Sequence, residues 1–341
     1  MKFMLRDEAR QTERRTPITP DDAKIFMNAG FELQVECSQK RIFPDAEYAA
    51  AGCELIDAKS WQTATDTTIL GLKELPDLPK KLQNPMIHFA HIYKDQTGWQ
   101  DEIKRFSNGG CLYDIEYLTI NKRRTAAFGY WAGWMGAALA AWRQLAKSLG
   151  ENGPKNGVSS FDNRGEVEAI LKSLASKTQS RRAVVIGAKG RSGSGAVEAL
   201  TLAGYSVTEW DMAETRNLDG KTLQDHDLLV NSVLMTGPGL LLLSPENIGQ
   251  GRLKMISDVS CDPFSDFNPL PVYTAPTSWK KPFLDLGNGA EITAIDNLPS
   301  MLPREASIDF SSQLIKSLLA YPNGAEWVAA RAAFDKAAHH A

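Results

Sequence analysis

The 341-residue sequence has little of what builds metal clusters, covalent frameworks or membrane spans. Its four cysteines, Cys37, Cys53, Cys111 and Cys261, stand far apart, with no CxxC or CxxH spacing. That excludes a zinc cluster or a disulfide scaffold and suits a reducing cytoplasm. No run of about 18 uncharged apolar residues occurs. The nearest, residues 126–141, is interrupted by Gly129, Gly133 and Gly136 and runs into Trp142-Arg143. The first 15 residues lack an apolar core, so no signal peptide is expected. Charge of one sign is also missing: 38 basic against 41 acidic residues give a net charge of −3. Such a balance supplies no field to hold nucleic acid or an anionic membrane. No fixed-period repeat or low-complexity tract is visible.

What remains is an ordinary globular composition, 43% apolar and 23% charged, of a length that suggests two domains. Short apolar runs alternate with helical patterns. Strands are expected at residues 2–6, 32–36, 53–56, 68–72, 86–92 and 111–113, with helices at 20–29, 45–51 and 95–107. A long Ala-, Gly- and Trp-rich helix is expected over 125–149, then a loop and a helix over 164–176. A second set of strands follows at 182–187, 206–210, 227–233, 255–259 and 272–274, with closing helices at 304–319 and 325–339. Strands alternating with helices mean βαβ units and mainly parallel sheets. The expected fold is α/β: two Rossmann-like, doubly wound domains with the active site in the cleft between them. The final helix pair is expected to return to the first domain. That gives residues 1–127 plus 305–341 as one discontinuous domain and 128–304 as the domain inserted within it.

The clearest chemical signal is Val184-Val185-Ile186-Gly187-Ala188-Lys189-Gly190-Arg191-Ser192-Gly193-Ser194-Gly195. An apolar strand runs into glycines at 187, 190, 193 and 195, a helical pattern follows, and the next strand ends at Asp211, 24 residues after Gly187. Glycines let backbone N–H groups approach a pyrophosphate, and a helix N-terminus favours its charge. A carboxylate at the end of the second strand accepts hydrogen bonds from ribose hydroxyls and repels a 2′-phosphate, which points to NAD rather than NADP. The spacing is GxxGxxG rather than GxGxxG, so a tight turn without a ligand is the competing reading.

Of five histidines, His339 and His340 lie in the tail and His226, between two aspartates, reads as a solvated strand entry. His88 and His91 remain, on a run whose C-terminal end opens onto the ligand crevice of a parallel sheet. His91 is the nearer to that end. Gly71-Leu72-Lys73-Glu74 repeats the arrangement: a strand, then a lysine that desolvation and neighbouring cations turn into a base. A surface Lys-Glu pair is the plain alternative. Arg14-Arg15 and Arg123-Arg124 are either solvated basic loops or bidentate carboxylate holders.

Together these motifs resemble the NAD-dependent, lysine-forming saccharopine dehydrogenases, within the wider alanine dehydrogenase and transhydrogenase-like group. The resemblance is carried by Arg15-Thr16-Pro17-Ile18-Thr19-Pro20, by Gly71-Leu72-Lys73-Glu74 and by Phe89-Ala90-His91-Ile92-Tyr93-Lys94-Asp95-Gln96. Leu112-Tyr113-Asp114-Ile115-Glu116, the glycine loop, Asp258-Val259-Ser260 and Ile295-Asp296-Asn297-Leu298-Pro299-Ser300-Met301 complete it. It implies oxidation of saccharopine by NAD and hydrolysis of the resulting imine to lysine and 2-oxoglutarate, a step of lysine biosynthesis. Lys73 matches the family's base for the secondary amine, and His91 its acid–base group for water and the carbinolamine. Glu74 and Glu116 match carboxylates that tune them. Arg15, Lys94, Gln96 and Arg124 match substrate contacts, and Phe128, Ser260 and Asp262 lie where substrate is reached. Gly187, Gly190, Arg191, Gly193, Asp211, Thr215, Val259, Ile295, Asn297 and Leu298 match cofactor contacts, with Arg123 and Asp296 as further neighbours. The resemblance implies a cytoplasmic enzyme, a monomer or small homo-oligomer, with no nucleic-acid or membrane partner and no metal. Departures are Ser192 and Ser232 where some members carry cysteine, and a divergent stretch over 235–243. Another NAD-linked amino-acid or opine dehydrogenase on the same scaffold is the alternative, because fold does not fix substrate.

Overall fold

The computed structural model describes residues 1–341 apart from 94–97, 108, 217, 219, 236, 249 and 288. The chain forms two compact units, one of Met1–Ala127 with Pro303–Ala341, the other of Phe128–Leu302.

The first unit is built on six parallel strands: β1 (Lys2–Leu5), β2 (Glu32–Glu36), β3 (Glu54–Ile56), β4 (Thr68–Leu70), β5 (Pro85–His88) and β6 (Cys111–Asp114). Their order is β3-β2-β1-β4-β5-β6, so the winding reverses between β1 and β4. The central strands β1, β4 and β5 are buried over most of their length on both faces, which is why they read as apolar runs. Helix α1 (Pro20–Asn28) starts as the sequence dictates, with Thr19 accepting from the Asp22 N–H and Pro20 in the first turn. Helix α2 (Asp45–Ala50) crosses between β2 and β3. Helix α3 occupies only Trp99–Lys104, shorter than the 95–107 expected, of which 95–97 lie outside the described residues. A small antiparallel ribbon, β7 (Thr119–Ile120) and β8 (Arg123–Arg124), ends this first stretch.

The second unit opens with α4 (Gly129–Ser148), a helix buried along most of its length. Helix α5 (Arg164–Ala175) leads into β9 (Arg181–Ile186), α6 (Arg191–Leu202), β10 (Tyr205–Trp210), the short α7 (Met212–Thr215) and α8 (Gly220–Leu223), β11 (Leu228–Asn231) and β12 (Met255–Asp258). The expected strand at 272–274 does not form. Pro263, Pro269, Pro271 and Pro276 strip that segment of ladder donors. The sheet is completed instead by a hairpin, β13 (Leu284–Gly287) and β14 (Ala290–Thr293), turning through Gly287 and Gly289 at φ 83° and 77°. The order β10-β9-β11-β12-β14-β13 is parallel except for that edge hairpin. His226, expected in solvent, is buried: its Nε2 lies 3.1 Å from Thr208 Oγ1 and its ring sits at the edge of Trp210. Burial lowers its pKa.

The chain then returns to the first unit as α9 (Pro303–Leu319) and α10 (Ala325–Ala338). Phe3, Tyr113, Tyr321 and Trp327 form a chain of edge-to-face rings that seats both helices on the sheet. Ser307 and Ser311 of α9 accept the backbone N–H groups of Thr16 and Thr19, each at 3.0 Å, and so anchor the loop that carries Arg15. No helix among the described residues is long and apolar enough to cross a membrane.

Helices α4 and α6 cross with backbones in contact. A Cβ on Gly133 would overlap the Ser192 carbonyl, and one on Gly195 the Tyr130 carbonyl. Because backbone cannot step aside as a side chain does, Gly133→Ala should cost about 1–3 kcal/mol. A lower urea midpoint with an unchanged m-value reports it; an unchanged midpoint contradicts the packing described here.

Candidate active site

In a doubly wound sheet, ligands meet the C-terminal edge of the strands where the winding reverses. In the first unit that point lies between β1 and β4, and the segments leaving it are Arg6 to Arg15 and Leu72 to Glu74. Glu8, buried, takes the Leu72 and Lys73 N–H groups at 2.7 and 3.0 Å. Arg6 pairs with Glu8 at 3.3 Å and donates to the Lys73 carbonyl. The backbone of Lys73 is therefore held from both sides by one ion pair. Gly71 is required because any Cβ there would strike the Arg6 guanidinium.

Arg15 is buried and grips Glu13 bidentately, Nε to Oε1 at 2.8 Å and Nη2 to Oε2 at 2.7 Å. Burial alone raises the Glu13 carboxyl, but Arg15 and Lys73 outweigh it and hold it at about 2. Lys73 shows the reverse. Burial, then the Arg15 charge, lowers its ammonium pKa from the usual lysine range, and Glu13 partly opposes them. Glu74 turns outward to pair with Arg10. The plain Lys73-Glu74 surface pair is thus not what forms.

The next strand end carries the histidines. Strand β5 stops at His88, short of the expected 92, and His91 sits on the following loop at φ 57°. A non-glycine residue in that region is strained, and such strain gathers at functional sites. His91 stacks on Phe89 and its Nδ1 lies 3.3 Å from Glu116 Oε2. The other Glu116 oxygen lies 3.3 Å from Arg124. Glu116 itself is fixed by Asp114, which accepts its backbone N–H at 2.9 Å. Burial pushes the Asp114 carboxyl up to about 6. His88 is kept neutral by burial and by the Arg6 and Arg105 charges. A cavity of about 240 Å³ is lined, among others, by Glu74, His88, His91 and Trp99.

One unit thus brings together Arg15, Lys73, Glu74, His91, Glu116 and Arg124 at one sheet edge. Lys94 and Gln96 lie outside the described residues. Arg123 is exposed on the small ribbon of this unit, while the other cofactor candidates belong to the second unit. Glu8, Glu13, Arg6 and Arg10 were not singled out from the sequence. Their signal was a mixed charge run placed directly after a central strand buried from Phe3 to Leu5, where a merely solvated stretch is not expected.

In the second unit the strand order reverses between β9 and β11. Gly187 turns at φ 77°, and a Cβ on Gly193 would overlap the Gly187 carbonyl. Gly190 caps α6 without a side chain, leaving the helix N-terminus to an incoming group. Ser232 Oγ, just past β11, is buried without a partner among the described residues. Asp211 caps α7 with Glu214 in a capping box, and its carboxylate also takes the Lys189 N–H of the glycine loop at 3.0 Å. It therefore shapes the loop as well as ending the second strand. The Thr215 hydroxyl donates to the Asp211 carbonyl. Val259, Ser260 and Asp262 leave β12 half-buried, and Phe128 precedes α4. Ile295 and Leu298 are core residues, Asp296 is exposed and Asn297 half-buried. A tight glycine turn, an uncapped helix start and an orphaned hydroxyl at the switch point fit a dinucleotide. Among the described residues no cluster could hold a metal ion.

Known proteins resemble the chain over its whole length. Residues 4–135 match the family model described as alanine dehydrogenase/PNT, N-terminal domain. Saccharopine dehydrogenase (NAD+, L-lysine-forming) of Yarrowia lipolytica is 39% identical, covering 98% of this chain and 97% of its own. Those of Candida albicans and Neurospora crassa are 38% and 37% identical, each covering 97% of this chain and 96% and 95% of their own. Among solved structures, an L-alanine dehydrogenase superposes with TM-score 0.70 at 17% identity, covering 98% of this chain and 94% of its own. A transhydrogenase from Sinorhizobium meliloti does so with TM-score 0.67 at 14% identity, covering 96% and 97%. The two structural likenesses establish the Rossmann-like fold.

The two glutamate pairs should separate cleanly in a denaturation experiment. Glu13→Ala takes the bidentate carboxylate away from a buried guanidinium and should cost about 3–5 kcal/mol. Glu74→Ala breaks a half-exposed pair and should cost under about 1 kcal/mol. Equal losses in urea titrations would contradict the burial of the Glu13–Arg15 pair.

Proposed function

The chain belongs to the family of saccharopine dehydrogenases (NAD+, L-lysine-forming), and from that premise we propose that it oxidises saccharopine with NAD to give lysine and 2-oxoglutarate. The observation that carries the reading is likeness to those enzymes over 97–98% of this chain and 96–97% of theirs. The second unit is the NAD-binding domain, with Gly187, Gly190, Arg191 and Gly193 at the pyrophosphate and Asp211 at the adenosine ribose. The first, with its returning helices, is the catalytic domain. The enzyme works in the cytoplasm, as a monomer or small homo-oligomer.

The residues divide the proton transfers. Oxidation at a carbon bonded to nitrogen needs that nitrogen unprotonated. Lys73, its pKa lowered by burial and by Arg15, takes the proton from the secondary amine of saccharopine. NAD, when bound, accepts the two electrons of the oxidation. The imine left on the substrate is attacked by water, whose proton His91 receives and later returns to the departing lysine nitrogen. Glu116, between His91 and Arg124, keeps the ring oriented. The substrate carries three carboxylates, and Arg15, Lys94, Gln96 and Arg124 are assigned to hold them, with Glu74, Phe128, Ser260 and Asp262 beside them. Arg123, Thr215, Val259 and residues 295–298 are assigned to the cofactor.

An assay of NADH formation over saccharopine, alanine, glutamate and related opines tests the substrate. Saccharopine should be the preferred one, and preference for another opine overturns the reading. Lys73→Met and His91→Gln should each lower turnover by about 10²–10⁴-fold while NADH binding survives. A double variant with near wild-type turnover would remove both residues from the mechanism.

A further inference from the structure

The hydrolysis assigned above consumes a water, which must reach the imine beside His91. The cavity of about 240 Å³ past the end of β5 has His91 in its wall, together with Glu74, His88, Trp99 and Glu102. A buried water needs about two to four polar partners, and two imidazoles with two carboxylates supply them. The volume is several times what one water fills. The carboxylates are already paired, Glu74 with Arg10 and Glu102 with Arg105 at 2.8 Å. Such a wall is close to neutral, and it suits a small neutral polar ligand better than a carboxylate or an ammonium.

His88 is the member of this wall without a task so far. It ends β5, is 2% exposed, and its Nδ1 is enclosed with no partner among the described residues. A neutral imidazole has one N–H to give and one lone pair to fill. Burial, with the Arg6 and Arg105 charges, keeps the ring neutral. His91, three residues on, is only partly buried and has the Glu116 carboxylate beside it. A water in this cavity can therefore lose a proton to His91, whereas on His88 the charge would be buried among other cations.

We propose that the cavity binds the water that hydrolyses the imine, and that His88 is the positioning residue that orients it. The inference rests on the role given to His91 above. The water oxygen forms the bond to the imine carbon, the C=N electron pair moves onto nitrogen, and a water proton passes to His91. His91 returns that proton to the nitrogen. The carbon–nitrogen bond then breaks with its electrons on nitrogen, and the hydroxyl proton follows to that nitrogen as the carbonyl forms. His88 holds the water by hydrogen bonds and exchanges no net proton.

The test separates oxidation from hydrolysis in one stopped-flow record of NADH absorbance with saccharopine and NAD. The first turnover reports oxidation, and later turnovers wait for hydrolysis. His88→Phe fills the place of the ring without a polar atom. It should leave the first turnover as in the wild-type protein and slow the later ones by about 10²-fold, so that NADH appears in a burst. His88→Gln, which again offers a neutral donor and acceptor, should restore the later turnovers. A merely structural role would slow both phases alike, and that result overturns the inference. So do two unchanged phases, a Gln variant as slow as the Phe variant, or a raised KM with both rates unchanged, which would make the cavity a substrate pocket. If His88→Phe does not fold, a high-resolution crystal structure of the wild-type protein decides. Water hydrogen-bonded to the His88 ring is expected there, and a dry cavity overturns the proposal. A wild-type protein that does not oxidise saccharopine fails earlier, at the functional reading, and the crystal structure still tests the water site on its own.

Discussion

The first unit depends on buried carboxylates that hold backbone. Glu8 ties down the two N–H groups that lead into Lys73, and Arg6 closes the same turn from the carbonyl side. Glu13 and Arg15 then set the electrostatics around the lysine. A buried ion pair is costly to assemble, and its desolvation is recovered only with well-placed hydrogen bonds. Here those bonds fix the conformation of the segment that carries Lys73. The loop carrying Arg15 is in turn fastened to α9 by Ser307 and Ser311, so the returning C-terminal helix helps to hold the surroundings of Lys73.

The second unit uses the same principle for a different end. Asp258 at β12 and Asp211 after β10 are both carboxylates that gather backbone and side-chain donors at a strand end. In each case the carboxylate holds the turn at the strand end in one conformation. Parallel sheets favour this arrangement, because all their strands end at one rim and the turns there have no ladder to hold them.

Much of this was legible in the sequence. The alternation of apolar runs and helical patterns gave the α/β class, because period and strand length are encoded locally. The strand, glycine loop, helix and acid of the dinucleotide unit were visible for the same reason. Lys73 and His91 could be singled out because each follows directly on a buried strand. The 284–293 hairpin was missed because its first strand is polar and half-exposed, so no apolar run marks it. His226 was misread because two flanking aspartates suggested solvent, while the ring turns inward onto Trp210. Glu8 and Glu13 were passed over because a mixed charge run looks solvated. Only tertiary pairing shows that two of its carboxylates are interior. Whether Arg15 was a solvated residue or a carboxylate holder could not be read from spacing, and its partner proves to lie two residues away.

The claim that this buried network tunes Lys73 is tested most directly by the pH dependence of kcat/KM for saccharopine oxidation in the wild-type protein and in Glu13→Gln. The lysine must be neutral to act, so activity falls on the acid side as it gains a proton. Burial and Arg15 place that limb below the usual lysine range, and the Glu13 charge resists the shift. Removing that charge should therefore move the limb to still lower pH. A limb that stays in place, or moves to higher pH, would contradict the account.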